Sequence, residues 1–223
     1  HIVHLYKNVV LYLLVNDYKI YQEGKYHMIR QGENQENKKD KSSEVMERLL
    51  KTRTIFISGE INQELAEKVS TQLLLLQEMG EEPIKLFINS QGGHVEAGDT
   101  IHDMIKFVKP KVLVIGTGWV ASAGITIYLG ADKENRYSLP NTRYLIHQPM
   151  GECRGQSTDL SIEAEQIIKV RKRVNSIISE ATGQPIERVE QDTDRNYWMN
   201  ASEAVEYGVV NKIISSYDEL PTV

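Results

Sequence analysis

The sequence predicts an α/β fold with a mostly parallel sheet. From Glu44 onward, short β-rich runs alternate with stretches of helical period, the pattern of consecutive βαβ units. Glycine or proline punctuates the joins between them. Hydrophobic residues make up 40% of the 223 residues and charged residues 26%, which suits one globular core.

The elements follow in order. Val45 to Leu50 reads as a short helix. Thr54 to Ser58 is β-rich and stops at Gly59. Asn62 is placed to cap a helix running to about Gly80, with Leu65, Val69, Leu73 and Leu76 on one stripe. Ile84 to Ile88 reads as a second strand, followed by the pair Gly92-Gly93. Val95 to Val108 is helical in period and stops before Pro110. Val112 to Ile115 reads as a third strand, and a glycine-rich turn leads to Ser122 and a helix ending near Gly130. Arg143 to Ile146 is a further strand, ending at His147.

The next helix is the longest. Leu160, Ala164, Ile167, Val170, Val174, Ile177 and Ala181 hold its period from Asp159 to Thr182. Asp159 is expected to cap its start and Gly183 its end, with Pro185 beyond. About 24 residues of helix span ~36 Å, more than a compact domain needs, so this helix is expected to project. Ala201 to Tyr207 and Val209 to Ile214 are the last two regular segments.

Residues 1–43 differ from the rest. Residues 1–27 are rich in tyrosine and aliphatic residues without a period, and 28–43 are polar and charged. They are expected to form an N-terminal extension, flexible or of non-native origin, ahead of one domain over 44–223. No apolar run approaches the ~20 residues of a membrane span, and Asp17 closes the longest one, Val9 to Val15. The net charge of -5 and the lack of a basic stripe argue against nucleic acid and anionic membranes. The single cysteine, Cys153, forms no internal disulfide, which fits a reducing, cytoplasmic compartment.

Three segments carry candidate chemistry, each with a plainer reading. In Asn89-Ser-Gln-Gly-Gly93 the glycines either aim backbone N–H groups at an oxyanion or merely make a tight turn. In Gly116-Thr-Gly-Trp-Val-Ala-Ser-Ala-Gly124, Ser122 is either a nucleophile at the start of a helix or only its N-cap. His147 is either a general base or a hydrogen-bonded core histidine. A third partner would lie downstream, among Glu187, Glu190, Asp192 and Asp194 or beside them, and spacing does not choose. His94 and His102 have no acidic partner at metal-ligand spacing, so no metal is expected.

Taken together and in order, the blocks resemble the ClpP family from about Glu44 to Ile214. Arg53-Thr-Ile-Phe-Ile-Ser-Gly-Glu-Ile61, Ile88-Asn-Ser-Gln-Gly-Gly93, Ile146-His-Gln-Pro149, Gly155-Gln-Ser-Thr-Asp159, Asp192-Thr-Asp-Arg195 and Glu203-Ala-Val-Glu-Tyr-Gly208 carry the likeness. The resemblance implies a ClpP/crotonase-type spiral of βαβ units, with the long helix as a projecting handle. It implies a serine endopeptidase subunit in two stacked heptameric rings, supplied with unfolded protein by an AAA+ ATPase that uses ATP, and no cofactor in this chain. It puts the nucleophile on Ser122, the base on His147, the oxyanion N–H groups on Gly93 and Ala123, and a ring-contact pair on Asp194 and Arg195.

The same likeness puts the third catalytic position on Asn196, where aspartate is usual, and this implies attenuated activity. Gln91, Trp119 and Ala123 also depart from the usual pattern, and the N-terminal segment lacks the family's axial-loop pattern. An alternative expectation is a mainly structural or regulatory subunit in a mixed barrel with a more active ClpP paralogue. A thioester enzyme of crotonase type is disfavoured by Ser122 together with His147.

Overall fold

A computed structural model describes residues 45–151 and 156–221. The expected extension over 1–43 and Cys153 lie outside the described residues. The chain forms two compact units, His1–Arg53 and Thr54–Val223. The described part of the first holds one helix, α1, over 45–51.

The second unit is the expected α/β layer structure. Its seven strands are β1 (Thr54–Ile61), β2 (Ile84–Gly93), β3 (Val112–Ala121), β4 (Arg136–Ser138), β5 (Arg143–Ile146), β6 (Tyr197–Asn200) and β7 (Lys212–Ile213). Helices α2 (Gln63–Met79) and α3 (Val95–Phe107) link the first three strands. A short helix, α4 (Ala123–Tyr128), follows β3, and α5 (Ser157–Thr182), α6 (Ile186–Asp192) and α7 (Ala201–Tyr207) complete the set. The sheet order is β1-β2-β3-β4-β7, and β5 bridges β3 to β6. All pairs are parallel except β5–β6.

Apolar periodicity decides these elements. Asn62 caps α2 by accepting the Leu65 N–H at 2.9 Å, and Val69, Leu73 and Leu76 are buried beneath it. Ile84, Leu86 and Ile88 alternate inward on β2 and are fully buried. Each such side chain contributes about 1.5–3 kcal/mol through burial.

Three differences from the sequence reading matter. First, β2 and β3 run well past Ile88 and Ile115, through segments that read as glycine turns. The ladder is bulged rather than ended: after Ile88↔Gly116, the next pair is Ser90↔Val120. The extra residues on β3 are taken up at Gly118, with φ 62. Second, α5 starts at Ser157, and Gln156 rather than Asp159 occupies its N-cap position. Asp159 instead places its charge in the first turn, where the helix dipole favours it. Third, the buried stripe of α5 is Asn175, Ile178 and Thr182, one residue over from the expected Val174, Ile177 and Ala181, which flank it half-buried. The N-terminal half of α5 is exposed, with Ile162 and Ile168 on its surface. Gly183 ends it with φ 79, as expected. Val209 to Ile214 yields only the two-residue β7. No helix among the described residues is long and apolar enough to cross a membrane.

Candidate active site

Ser122 sits where β3 breaks into α4. Its backbone has φ 56 and ψ -122, a conformation that non-glycine residues avoid at a cost of about 1–3 kcal/mol. Its N–H donates to Leu145 O at 3.0 Å, and Ile125 N–H donates to its carbonyl at 2.9 Å. Its side chain makes no capping hydrogen bond. The N-cap reading therefore fails: Ser122 occupies the cap position without using its hydroxyl there. A strained turn that presents an uncommitted hydroxyl matches the nucleophile reading.

The end of β2 packs directly against this turn. A Cβ added to Gly92, at φ 97, would stand 2.6 Å from Ser122 Cβ, 2.8 Å from Ala121 O and 3.2 Å from Ala123 N. Only glycine fits there. Gly92 N–H donates to Ser90 Oγ at 3.0 Å, and the next residue, Gly93, pairs with Ile61. Ala123 is the first residue of α4, so its N–H has no intrahelical acceptor. Ala123 thus follows Ser122 at the start of α4, and Gly93 follows Gly92 at the end of β2.

His147 reaches the same place through register. In the β3–β5 pair Ala121 stands beside Leu145, so Ser122 falls one step short of His147. In the antiparallel β5–β6 pair Ile146 faces Tyr197 as the last pair of the ladder, so His147 and Asn196 each lie one residue beyond it. Two unrelated stretches of sequence are brought together by two strand registers. Trp119 and Trp198 reinforce this corner. Their rings stack with centres 6.4 Å apart, and the Arg143 guanidinium lies 4.2 Å from the Trp198 ring centre.

The imidazole is half-buried, and burial lowers its pKa below the usual histidine value. It is therefore neutral at neutral pH, as a general base must be. His147 Nε2 is buried and has no hydrogen-bond partner among the described residues, so it does not bond Ser122 in this form. Asn196 is exposed, and among the described residues its side chain makes no hydrogen bond to His147. The registers place the three residues at adjoining strand ends, and among the described residues neither hydrogen bond of a triad is formed.

The main chain around them is tied more firmly. Gln148 N–H donates to Thr193 O at 2.6 Å, and Gln148 Nε2 donates to Asp194 O at 2.7 Å. Asp194 pairs with Arg171 of α5 at 3.3 Å, and Arg195 is exposed. The sequence reading missed Gln148, Thr193, Asn175 and Arg171. Only one signal was there to find them, a polar asparagine and threonine at helical spacing in α5, and it was masked by the aliphatic stripe beside it. His94 and His102 stand apart from this group. His102 is buried on α3, with Nδ1 2.7 Å from Thr126 O.

Comparison with known proteins agrees with this fold. A profile of the family described as Clp protease matches residues 36–217. The chain is similar to ATP-dependent Clp protease proteolytic subunit 3 of Rhizobium meliloti, 54% identical over 195 residues, covering 86% of this chain and 100% of that one. It is 49% identical over 178 residues to proteolytic subunit 2 of Pseudomonas aeruginosa, covering 80% and 89%. Among solved structures it is similar to ClpP1 from Listeria monocytogenes, with 62% identity and a TM-score of 0.72 over 79% of this chain and 99% of that one. An asparagine-to-aspartate mutant of the same Listeria protein matches with a TM-score of 0.75 and the same identity and coverage.

Proposed function

Because the chain belongs to the Clp protease family, we propose that it is an ATP-dependent Clp protease proteolytic subunit, a serine endopeptidase that works through Ser122, His147 and Asn196. The observation that carries this reading is Ser122 itself: a strained, uncapped serine pressed against Gly92 and one register step from a neutral histidine.

The chemistry follows from those positions. His147 Nε2 takes the proton of Ser122 Oγ as the oxygen bonds to the scissile carbonyl carbon. The N–H groups of Gly93 and Ala123 hold the oxyanion that forms. The carbon–nitrogen bond then breaks, and the proton passes from His147 to the leaving amine. Water, deprotonated by the same imidazole, releases the acyl group from Ser122.

For this reaction the Asn196 side chain, which is not bonded to His147 in this structure, turns to accept the His147 Nδ1–H through its oxygen and holds the tautomer that leaves Nε2 free. It is neutral, so it does not offset the charge of the imidazolium. In serine proteases the change from aspartate to asparagine costs about 10⁴ in turnover, equivalent to ~5.4 kcal/mol of barrier. The reading is therefore a peptidase of attenuated intrinsic activity. It acts in a cytoplasmic barrel of two stacked heptameric rings, with unfolded protein delivered by an AAA+ Clp ATPase. In this picture residues 1–43 form an N-terminal extension to the peptidase domain.

A fluorophosphonate probe tests the nucleophile. Purified protein is expected to gain one probe mass on Ser122, and Ser122→Ala to gain none. Equal labelling of the two proteins, or none in either, rejects the assignment. The neutral third residue also supports a second reading, a subunit of mixed barrels with a more active ClpP paralogue. Native mass spectrometry of the two chains together would show mixed assemblies, and purely separate barrels would reject it.

A further inference from the structure

Helix α5 turns polar side chains inward. Asn175 is 1% exposed, and Thr193, in the turn after α6, is 0% exposed. The Thr193 hydroxyl lies 3.0 Å from Asn175 Oδ1 and 2.8 Å from Val189 O, and its one proton is shared between these two acceptors. Asn175 Nδ2 is buried without a partner. A leucine at 175 would fill the same space and leave no unpaired donor, but it would not direct Thr193. One turn earlier, on the same face of α5, Arg171 reaches the carboxylate of Asp194. Two side chains of one helix thus hold two consecutive residues of the turn.

The carbonyls of those two residues point the other way, and both receive hydrogen bonds from Gln148. Gln148 directly follows His147. Asn196 lies two residues beyond Asp194. His147 has no side-chain hydrogen bond of its own among the described residues. Its position is therefore set by the strand behind it and by Gln148 ahead of it.

We infer that Asn175, Thr193 and Gln148 are positioning residues for His147, a clamp that ties the main chain beside the imidazole to helix α5. The inference deepens the proposed peptidase reading and rests on the role of His147 in it. Loosening the clamp displaces the imidazole relative to Ser122. A displacement of about 1 Å is enough to cost about 10²-fold in rate.

The test compares Thr193→Val, which keeps the shape and removes the hydroxyl, with Thr193→Ser, which restores the hydroxyl. Hydrolysis of a fluorogenic peptide by the assembled protein gives kcat and KM, and hydrogen–deuterium exchange reads the Gln148 amide. In Thr193→Val, kcat is expected to fall by roughly 10- to 100-fold with KM within about twofold. The Gln148 amide is expected to exchange about tenfold faster. Thr193→Ser returns both to parent values. Parent-like kcat and exchange in Thr193→Val would overturn the clamp, as would equal losses in the valine and serine variants. If Thr193→Val does not fold, Gln148→Ala removes the Nε2 bond from a half-buried side chain, and an unchanged kcat there overturns it too. A parent that hydrolyses nothing would instead defeat the peptidase reading, and the clamp would then be decided by the exchange at Gln148.

Discussion

The two halves of the site are held by different means. Ser122 is held by main chain: a bond to Leu145 O, a left-handed φ, and a Gly92 contact with no room for a methyl group. His147 is held at a distance, by the end of β5 and by Gln148 bonded to the 193–194 turn. Asn196, just ahead of β6, is exposed. The nucleophile half is preorganised by backbone that side-chain changes hardly reach. The half around His147 depends on side chains, and the proposed attenuation belongs to it.

That contrast is easiest to break from the nucleophile side. Gly92→Ala forces a Cβ into Ser122 and Ala121 and a strained φ onto alanine. It is expected to cut peptide hydrolysis at least ~10²-fold and to destabilise the fold by about 2–4 kcal/mol. Turnover together with urea unfolding would check both, and a variant close to parent in each would mean the turn is not fixed by that contact.

The base half is sharpened by pH. Burial lowers the pKa of His147, so the neutral form persists to lower pH than for a free histidine. The acid limb of kcat/KM is therefore expected below the ordinary value of ~6.5. A limb above that value would place His147 beside a negative charge. The smallest effect concerns strain. Glycine adopts φ 56 freely and alanine does not. Ser122→Gly should thus be about 1 kcal/mol more stable than Ser122→Ala, although neither is active. Equal melting temperatures would remove strain from the description of Ser122.

Much of the fold was legible in the sequence, and the reasons for the misses are physical. Strands β1 to β3 and helices α2 and α3 follow from apolar period and from Asn62, Gly59 and Pro110. The glycines at 92–93 and 116–118 read as turns, because local signals cannot show that a neighbouring strand continues the ladder past a bulge. In α5 the aliphatic stripe attracted the reading, while the buried line ran through Asn175 and Thr182. Ser122 and His147 were visible as candidates but not as a pair. Their meeting depends on strand register, which no local pattern carries. Asn196 came only from the likeness to a family. The pairing of Ile146 with Tyr197 leaves Asn196 and His147 each one residue beyond the end of that ladder.

The proposal that Asn196 limits peptide hydrolysis by Ser122 and His147 is tested most directly by peptide turnover of assembled Asn196→Asp against the parent. A carboxylate opposite His147 orients the ring and also stabilises its charged form. Turnover is expected to rise by at least tenfold, towards the ~10⁴ that separates the two residues in serine proteases. The acid limb should move to higher pH at the same time, because the added negative charge raises the histidine pKa. An unchanged rate, in a variant that assembles like the parent, would contradict the placement of Asn196 beside His147.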